Sequence, residues 1–150
     1  MRLTLFTDYA LRMLILAAST TDRNVTVEEA ASIYGISAPH LRKVVRTLTR
    51  AGFLDSHRGR SGGFRLAAPP EAINLGQVIR ATEPDFALVE CLREDNRCVI
   101  TQSCRLPAVF RQARHAMLDV FDRHSLADMT LDDAIFGALP RYGGPSDRAC

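Results

Sequence analysis

Between Thr26 and Leu66 the chain sets two short helical patterns and a hairpin pattern in sequence, each punctuated by glycine, and this order constrains the fold more than any other feature. Thr26-Val-Glu-Glu29 has the Thr-x-x-Glu spacing of a capping box, in which the threonine oxygen takes a free backbone N–H of the first turn, so a short helix is expected from Val27 to Tyr34. Gly35 stops it. Ser37 can cap the next helix, and Pro39 is tolerated in its first turn, where an amide has no partner. Leu41, Val44, Val45 and Leu48 then form one apolar stripe that ends at Gly52, while His40, Arg42, Lys43, Arg46 and Arg50 occupy the opposite face. Two short helices joined by Tyr34-Gly35-Ile36, the second basic and amphipathic, are the helix-turn-helix arrangement. Phe53-Leu54 and Phe64-Arg65-Leu66, separated by HRGRSGG, read as a β-hairpin with a basic tip, a wing. Glycines at 59, 62 and 63 let that tip turn and let Arg58 and Arg60 approach a groove closely.

The flanking segments complete a mainly α fold with one small hairpin. Thr7 can cap a first helix carrying Asp8 in its first turn and Leu11, Leu14, Ile15 and Ala18 at helical spacing, ending near Thr20. Asn74 can cap a helix through Leu75, Val78 and Ile79, limited by Pro84. From Pro107 to about His124, Val109, Phe110, Ala113, Met117, Val120 and Phe121 share one face of a helix about 27 Å long. So small a domain does not cover such a helix, and a second copy would. The expected organisation is a winged helix-turn-helix over residues 1–84, a cysteine-containing loop over 85–105, a dimerisation helix and following segment over 106–135, and a flexible tail over 136–150.

Charge is uneven along the chain. Residues 37–65 hold seven Lys or Arg against Asp55 alone, a local charge of +6 on a chain whose total is +2. A block this basic on a nearly neutral protein is an electrostatic footprint for a polyanion, and its position on a helix-turn-helix and wing makes that polyanion duplex DNA. Ser37, Pro39, His40, Arg42 and Lys43 stand at the start of the recognition helix, within reach of base edges, and Arg46 and Arg50 lie nearer the phosphates. Arg58 and Arg60 suit the wing's approach to a groove, Arg60 that of the minor groove, where negative potential concentrates. An enzyme is not expected: the histidines at 40, 57, 115 and 124 are scattered, and there is no nucleophile elbow or phosphate-binding loop.

The longest apolar run, Leu14 to Ala18, is far short of the roughly 20 residues a membrane span needs, and the opening MRLTLFTDYALR lacks the order of a secretory signal. A cytoplasmic, membrane-free protein is therefore expected, and a reducing compartment turns clustered thiols toward metal or redox chemistry. Cys91, Cys98 and Cys104 lie within 14 positions among Arg93, Glu94, Asp95, Asn96 and Arg97, not among the aliphatic neighbours of a structural cysteine. Three chemistries stay open on spacing: an iron–sulfur cluster, zinc, and sensor thiols. Zinc prefers four ligands with at least one short Cys-x2-4-Cys pair, whereas the intervals here are longer and suit a wider cluster. Cys150 stands apart.

The stretches MRLTLFTDYALRMLI, YGISAPHLRKVV, RGRSGGFRLA and LADMTL, together with the three cysteines, resemble the bacterial winged-helix regulators of the IscR, NsrR, RirA and CymR family over about residues 1 to 130. The resemblance implies a homodimer formed through the long C-terminal helix, DNA read by the third helix and wing, and an iron–sulfur cluster held by Cys91, Cys98 and Cys104. A histidine ligand found in one branch three residues after the last cysteine is replaced by Pro107. In the nitric-oxide-sensing branch an aspartate from the partner's first helix completes the coordination, and Asp8 in FTDY matches it. A 4Fe–4S cluster is expected in preference to a 2Fe–2S cluster. The stretch Phe86 to Cys91 is similar to the iron-sensing branch, so nitric-oxide sensing is the preferred reading and iron sensing the alternative. From the residues alone, Asp8 is an ordinary first-turn acid favoured by the helix N-terminus by about 0.3 to 1 kcal/mol.

Overall fold

Thr4, not Thr7, caps the first helix in the computed structural model, which describes residues 2–57, 59 and 62–142. Arg58, Arg60 and Cys150, singled out above, lie outside the described residues. Helix α1 spans Leu5–Ser19. The Thr4 Oγ1 accepts the Thr7 N–H at 3.3 Å, and the Thr4 N–H is itself taken by Glu83 Oε1 at 2.8 Å. Thr7 is buried, and its hydroxyl donates to Thr82 Oγ1 at 3.0 Å. The expected cap is thus one turn inside the helix, because a carboxylate 79 positions away along the chain stabilises the earlier start.

Helix α2 (Val27–Tyr34) and helix α3 (Ala38–Arg50) fall where the capping signals place them. Thr26 accepts the Glu29 N–H at 3.1 Å, and Gly35 takes a left-handed φ of 65° that ends α2. The Glu29 carboxylate forms a two-point ion pair with Arg23 at 2.7 and 2.8 Å. Ser37 occupies the N-cap position of α3 without a side-chain capping bond. The stripe Leu41, Val44, Val45 and Leu48 is buried as a unit, so the basic face of the same helix is left to solvent.

Strands β1 (Leu54–His57) and β2 (Gly63–Leu66) pair antiparallel in the register Leu54–Leu66, Asp55–Arg65, Ser56–Phe64 and His57–Gly63. Val25 joins β2 as a third paired segment: its N–H and carbonyl both bond to Phe64, at 2.9 and 2.8 Å. The wing is therefore sewn to the segment that leads into α2. Phe64 is fully buried against α1, whose Met13, Leu14 and Leu16 form the centre of the core with Leu41, Leu48, Leu54 and Val78.

Helix α4 (Leu75–Thr82) is capped by Asn74, whose Oδ1 accepts the Gln77 N–H at 3.1 Å and whose Nδ2 donates to the Asp122 carbonyl at 2.7 Å. Asn74 thus starts one helix and fastens the end of another. Replacing it with alanine should lower stability by about 1 to 2 kcal/mol, a cap plus one net hydrogen bond. Urea unfolding followed by circular dichroism reads this, and an unchanged midpoint would remove the capping role.

Helix α5 spans Leu106–Asp122, slightly offset from expectation, and only Pro107 on it is buried. Leu106, Val109 and Val120 are between 46% and 57% exposed, whereas Phe110 and Met117 are half-buried and Phe121 packs against the core. The expected boundary between residues 135 and 136 falls inside a further helix, α6 (Asp133–Ala138). Phe136 belongs to the core, and this segment is held by Thr20 to Asp133 and by the Leu131 N–H to Ser19 Oγ. Beyond it the Tyr142 N–H donates to the Ser32 carbonyl at 2.7 Å and the ring covers Gly35; residues 143–150 of the expected tail lie outside the described residues. No helix among the described residues is long and apolar enough to cross a membrane.

Candidate functional site

The basic face of α3 and the inner side of the wing enclose an open groove of about 840 Å³. Arg42, Arg46 and Arg50 line it from α3, and Ser56, His57, Gly63 and Phe64 from the hairpin. The helix period brings these arginines together, and the Phe64 anchor sets the opposite wall. Pro39, His40 and Lys43 are exposed on α3 beside this groove. Ser37 and Pro39 line a smaller groove of about 390 Å³ with Ile36 and Tyr142. An exposed, strongly basic helix flanked by a hairpin wall can seat a helix in a major groove while its long cations meet phosphates.

Two groove residues escape a reading of the chain by pattern: His57, on β1, and Glu28, in the first turn of α2. Arg42 Nη2 donates to Glu28 Oε1 at 2.7 Å, across the helix-turn-helix. Glu28 is the only acid among the described lining residues. A backbone N–H and then the Arg42 guanidinium hold its carboxyl below the usual carboxylate range. His57 was visible only as one scattered histidine, and nothing in the local pattern signals the Glu28 contact.

The cysteine loop follows α4 along the chain and packs through its first turn on α5. Cys91 sits in a short 3-10 turn (Glu90–Leu92), and Cys98 and Cys104 flank the turn at residues 99–103; all three are free and partly exposed. Polar bonds pin its middle: the Cys98 N–H to Asn96 Oδ1 at 2.9 Å, the Thr101 hydroxyl to the Cys98 carbonyl at 2.8 Å, and the Arg97 N–H to Glu90 Oε1 at 3.2 Å. As folded, the loop does not gather its thiols: among the described residues no group of three or more His, Cys, Asp or Glu is placed to hold a metal. The donor set itself fits a thiophilic centre, because three unpaired thiols share one polar loop.

Asp8 is engaged within its own chain. Its carboxylate forms a two-point pair with Arg12, one helical turn on, at 2.7 and 3.1 Å. The Arg12 guanidinium also stands 6.0 Å from the Tyr9 ring and 5.9 Å from the Tyr34 ring. The Tyr34 hydroxyl donates to the Arg12 carbonyl at 2.9 Å, and burial pushes that phenol up to about 12. This network links the first turns of α1 to the last residue before the recognition turn.

The Rrf2 family model, described as an iron-dependent transcriptional regulator, matches residues 3–132. The chain is 45% identical over 134 residues to the HTH-type transcriptional regulator NsrR of Bacillus licheniformis, covering 88% of this chain and 94% of that one. It is 44% identical over 131 residues to the regulator of the same name in Bacillus subtilis, covering 86% and 90%. Among solved structures, CymR, the global cysteine regulator of B. subtilis, superposes with a TM-score of 0.68 at 27% identity, over 86% of this chain and 95% of that one. T. potens IscR superposes with a TM-score of 0.65 at 27% identity, over 86% and 85%. With a basic recognition helix, a wing seated on the core and these relatives, the chain belongs to the Rrf2 family and is a winged-helix, DNA-binding transcription regulator.

Proposed function

We propose that this protein is a cytoplasmic homodimeric repressor that reads a roughly palindromic duplex operator, holds an iron–sulfur cluster on Cys91, Cys98 and Cys104, and releases the operator in response to nitric oxide. The observation that carries this reading is the presence of three free thiols on one polar loop in a chain 40–45% identical to regulators named NsrR. The donor set favours a 4Fe–4S over a 2Fe–2S cluster by the same resemblance, with Asp8 of the partner subunit as the fourth ligand. When bound, the cluster supplies iron open to attack by a small diatomic. A carboxylate holds iron less firmly than a thiolate, so the Asp8 position is the weak point of the set.

A dimer is supported by the apolar surface the single chain leaves uncovered: Leu106, Val109 and Val120 on α5, Val99 and Ile100 on the cysteine loop, and Leu5 at the start of α1. Covering all three together would bring the first helix of one protomer to the loop of the other. An Asp8 that leaves such a site can return to Arg12 on its own helix, where it is seated here. Because α1 packs on α3, and Tyr34 ties α1 to the recognition turn, a shift of α1 can be passed to α3 and change the spacing of two recognition helices.

The test is anaerobic isolation followed by visible and Mössbauer spectroscopy, with titration of a duplex selected from random sequence in the presence of nitric oxide, oxygen or chelator. Nitric oxide should weaken operator binding at least about tenfold, a shift of about 1.4 kcal/mol. The family description as iron-dependent favours a second reading, iron sensing. If nitric oxide leaves affinity untouched while iron depletion reduces it, iron sensing replaces nitric-oxide sensing. Stoichiometric zinc after anaerobic iron–sulfur reconstitution would replace both with a zinc or thiol regulator.

A further inference from the structure

We infer that Glu28 is a specificity-determining residue that positions Arg42 for a base edge and discourages it from settling on phosphate. The inference rests on the placement of duplex DNA in the groove between α3 and the wing. Glu28 is the lone carboxylate among the described residues lining that groove, beside Arg42, Arg46 and Arg50. An acid facing an incoming polyanion works against general affinity, so its presence at this place requires a compensating gain.

The geometry supplies one. Glu28 stands at the N-terminus of α2, where the helix dipole and a backbone N–H favour the carboxylate, so its side chain is the fixed partner. Its Oε1 accepts one hydrogen bond from Arg42 Nη2 at 2.7 Å. A guanidinium carries five N–H donors in a rigid fork, so a tether through one edge leaves others in the plane needed for the paired acceptors of a guanine. Both side chains are more than half exposed, at 56% and 67%, so the pair does little for folding. Its effect grows when a duplex excludes water from the groove and lowers the local dielectric. Without the tether, Arg42 is free to turn to the nearest phosphate, which exists at every sequence.

The experiment uses the full-length protein, a duplex selected from random sequence, and a scrambled duplex of equal length. Glu28→Gln keeps the shape and removes the charge. It should raise affinity for the scrambled duplex about three- to tenfold, steepen the salt dependence of that binding, and cut the selected-to-scrambled ratio by about tenfold or more. Preference should relax at one base pair in each half-site. Arg42→Lys, which keeps the charge without the fork, should relax the same base pair, and the double variant should lose no further discrimination. The thermal midpoint should stay within experimental scatter in all three. A Glu28→Gln variant with the parent's ratio and base preferences overturns the inference. Loss of preference in Glu28→Gln but not in Arg42→Lys also overturns it, because Glu28 would then read a base itself. A parent protein that selects no duplex at all overturns the groove placement and the inference together.

Discussion

Serine at Cys91, Cys98 or Cys104 is expected to abolish the visible chromophore of anaerobically reconstituted protein, and with it any effect of nitric oxide on operator binding. A serine hydroxyl does not ionise near neutral pH and is a hard donor, so it replaces a thiolate in volume but not in bonding. With only three thiols on the loop, each substitution removes an irreplaceable donor, and the loss at any position should be nearly complete. Folding should survive. The three side chains are partly exposed, and the loop contributes nothing to the buried core, so helix content and thermal midpoint of the metal-free variants should match those of the metal-free parent. Serine at Cys150 is the control and should retain the chromophore. Iron content and absorbance of the four variants, prepared side by side, decide the matter. A full chromophore in any of the three loop variants would falsify the ligand assignment for that position.

Replacing Phe64 with alanine should be the most damaging single change to the fold and should also disable DNA binding. The side chain is fully buried between the hairpin and α1, and truncating an aromatic ring at such a site costs about 3 to 5 kcal/mol. Whole-domain stability is typically about 5 to 15 kcal/mol, so the thermal midpoint should fall by about 6 to 20 °C. The functional effect follows from the same atoms. Phe64 is the residue whose backbone carries both bonds to Val25, and it lines the groove shared with Arg46 and Arg50. A collapsed anchor lets the wing drift, so affinity for the selected duplex should drop even at temperatures where the variant is still folded. Phe64→Leu, which refills most of the space, should lie between the two. Melting curves and duplex titration at 10 °C below the variant's midpoint separate the two effects. An alanine variant that melts with the parent would show that Phe64 does not hold the wing.

What could be read along the chain was what the chain specifies locally. Helices α2 and α3 came out at their observed limits because Thr26, Gly35, the Ser37-to-Pro39 entry and the stripe from Leu41 to Leu48 all act within a few positions. The cap of α1 was misplaced because the deciding partner of Thr4 is Glu83, contributed by the end of α4. Helix α6 was missed for a related reason: a six-residue segment has little periodicity of its own, and the burial of Phe136 depends on a core assembled from other elements. At the site, the basic face was plain from helical spacing, but the Glu28 tether joins residues 14 apart across a turn whose angle no local pattern states. The cysteines show the opposite limit. Their number and polar setting make soft-ligand chemistry the expectation, but spacing does not state how a loop folds, and among the described residues no three ligating groups come together.

The seat of Tyr142 on the recognition turn has a practical bearing on how this protein can be handled. With its N–H fixed to the Ser32 carbonyl and its ring over Gly35, the segment after α6 returns to the turn that leads into the recognition helix. A fluorescent protein or surface-capture tag inserted directly after Tyr142 would therefore start beside the helix that must enter a groove, and its bulk would compete with DNA for the same space. Binding constants measured on such a fusion would report the attachment as well as the protein, and immobilisation at that point would turn the reading face toward the support.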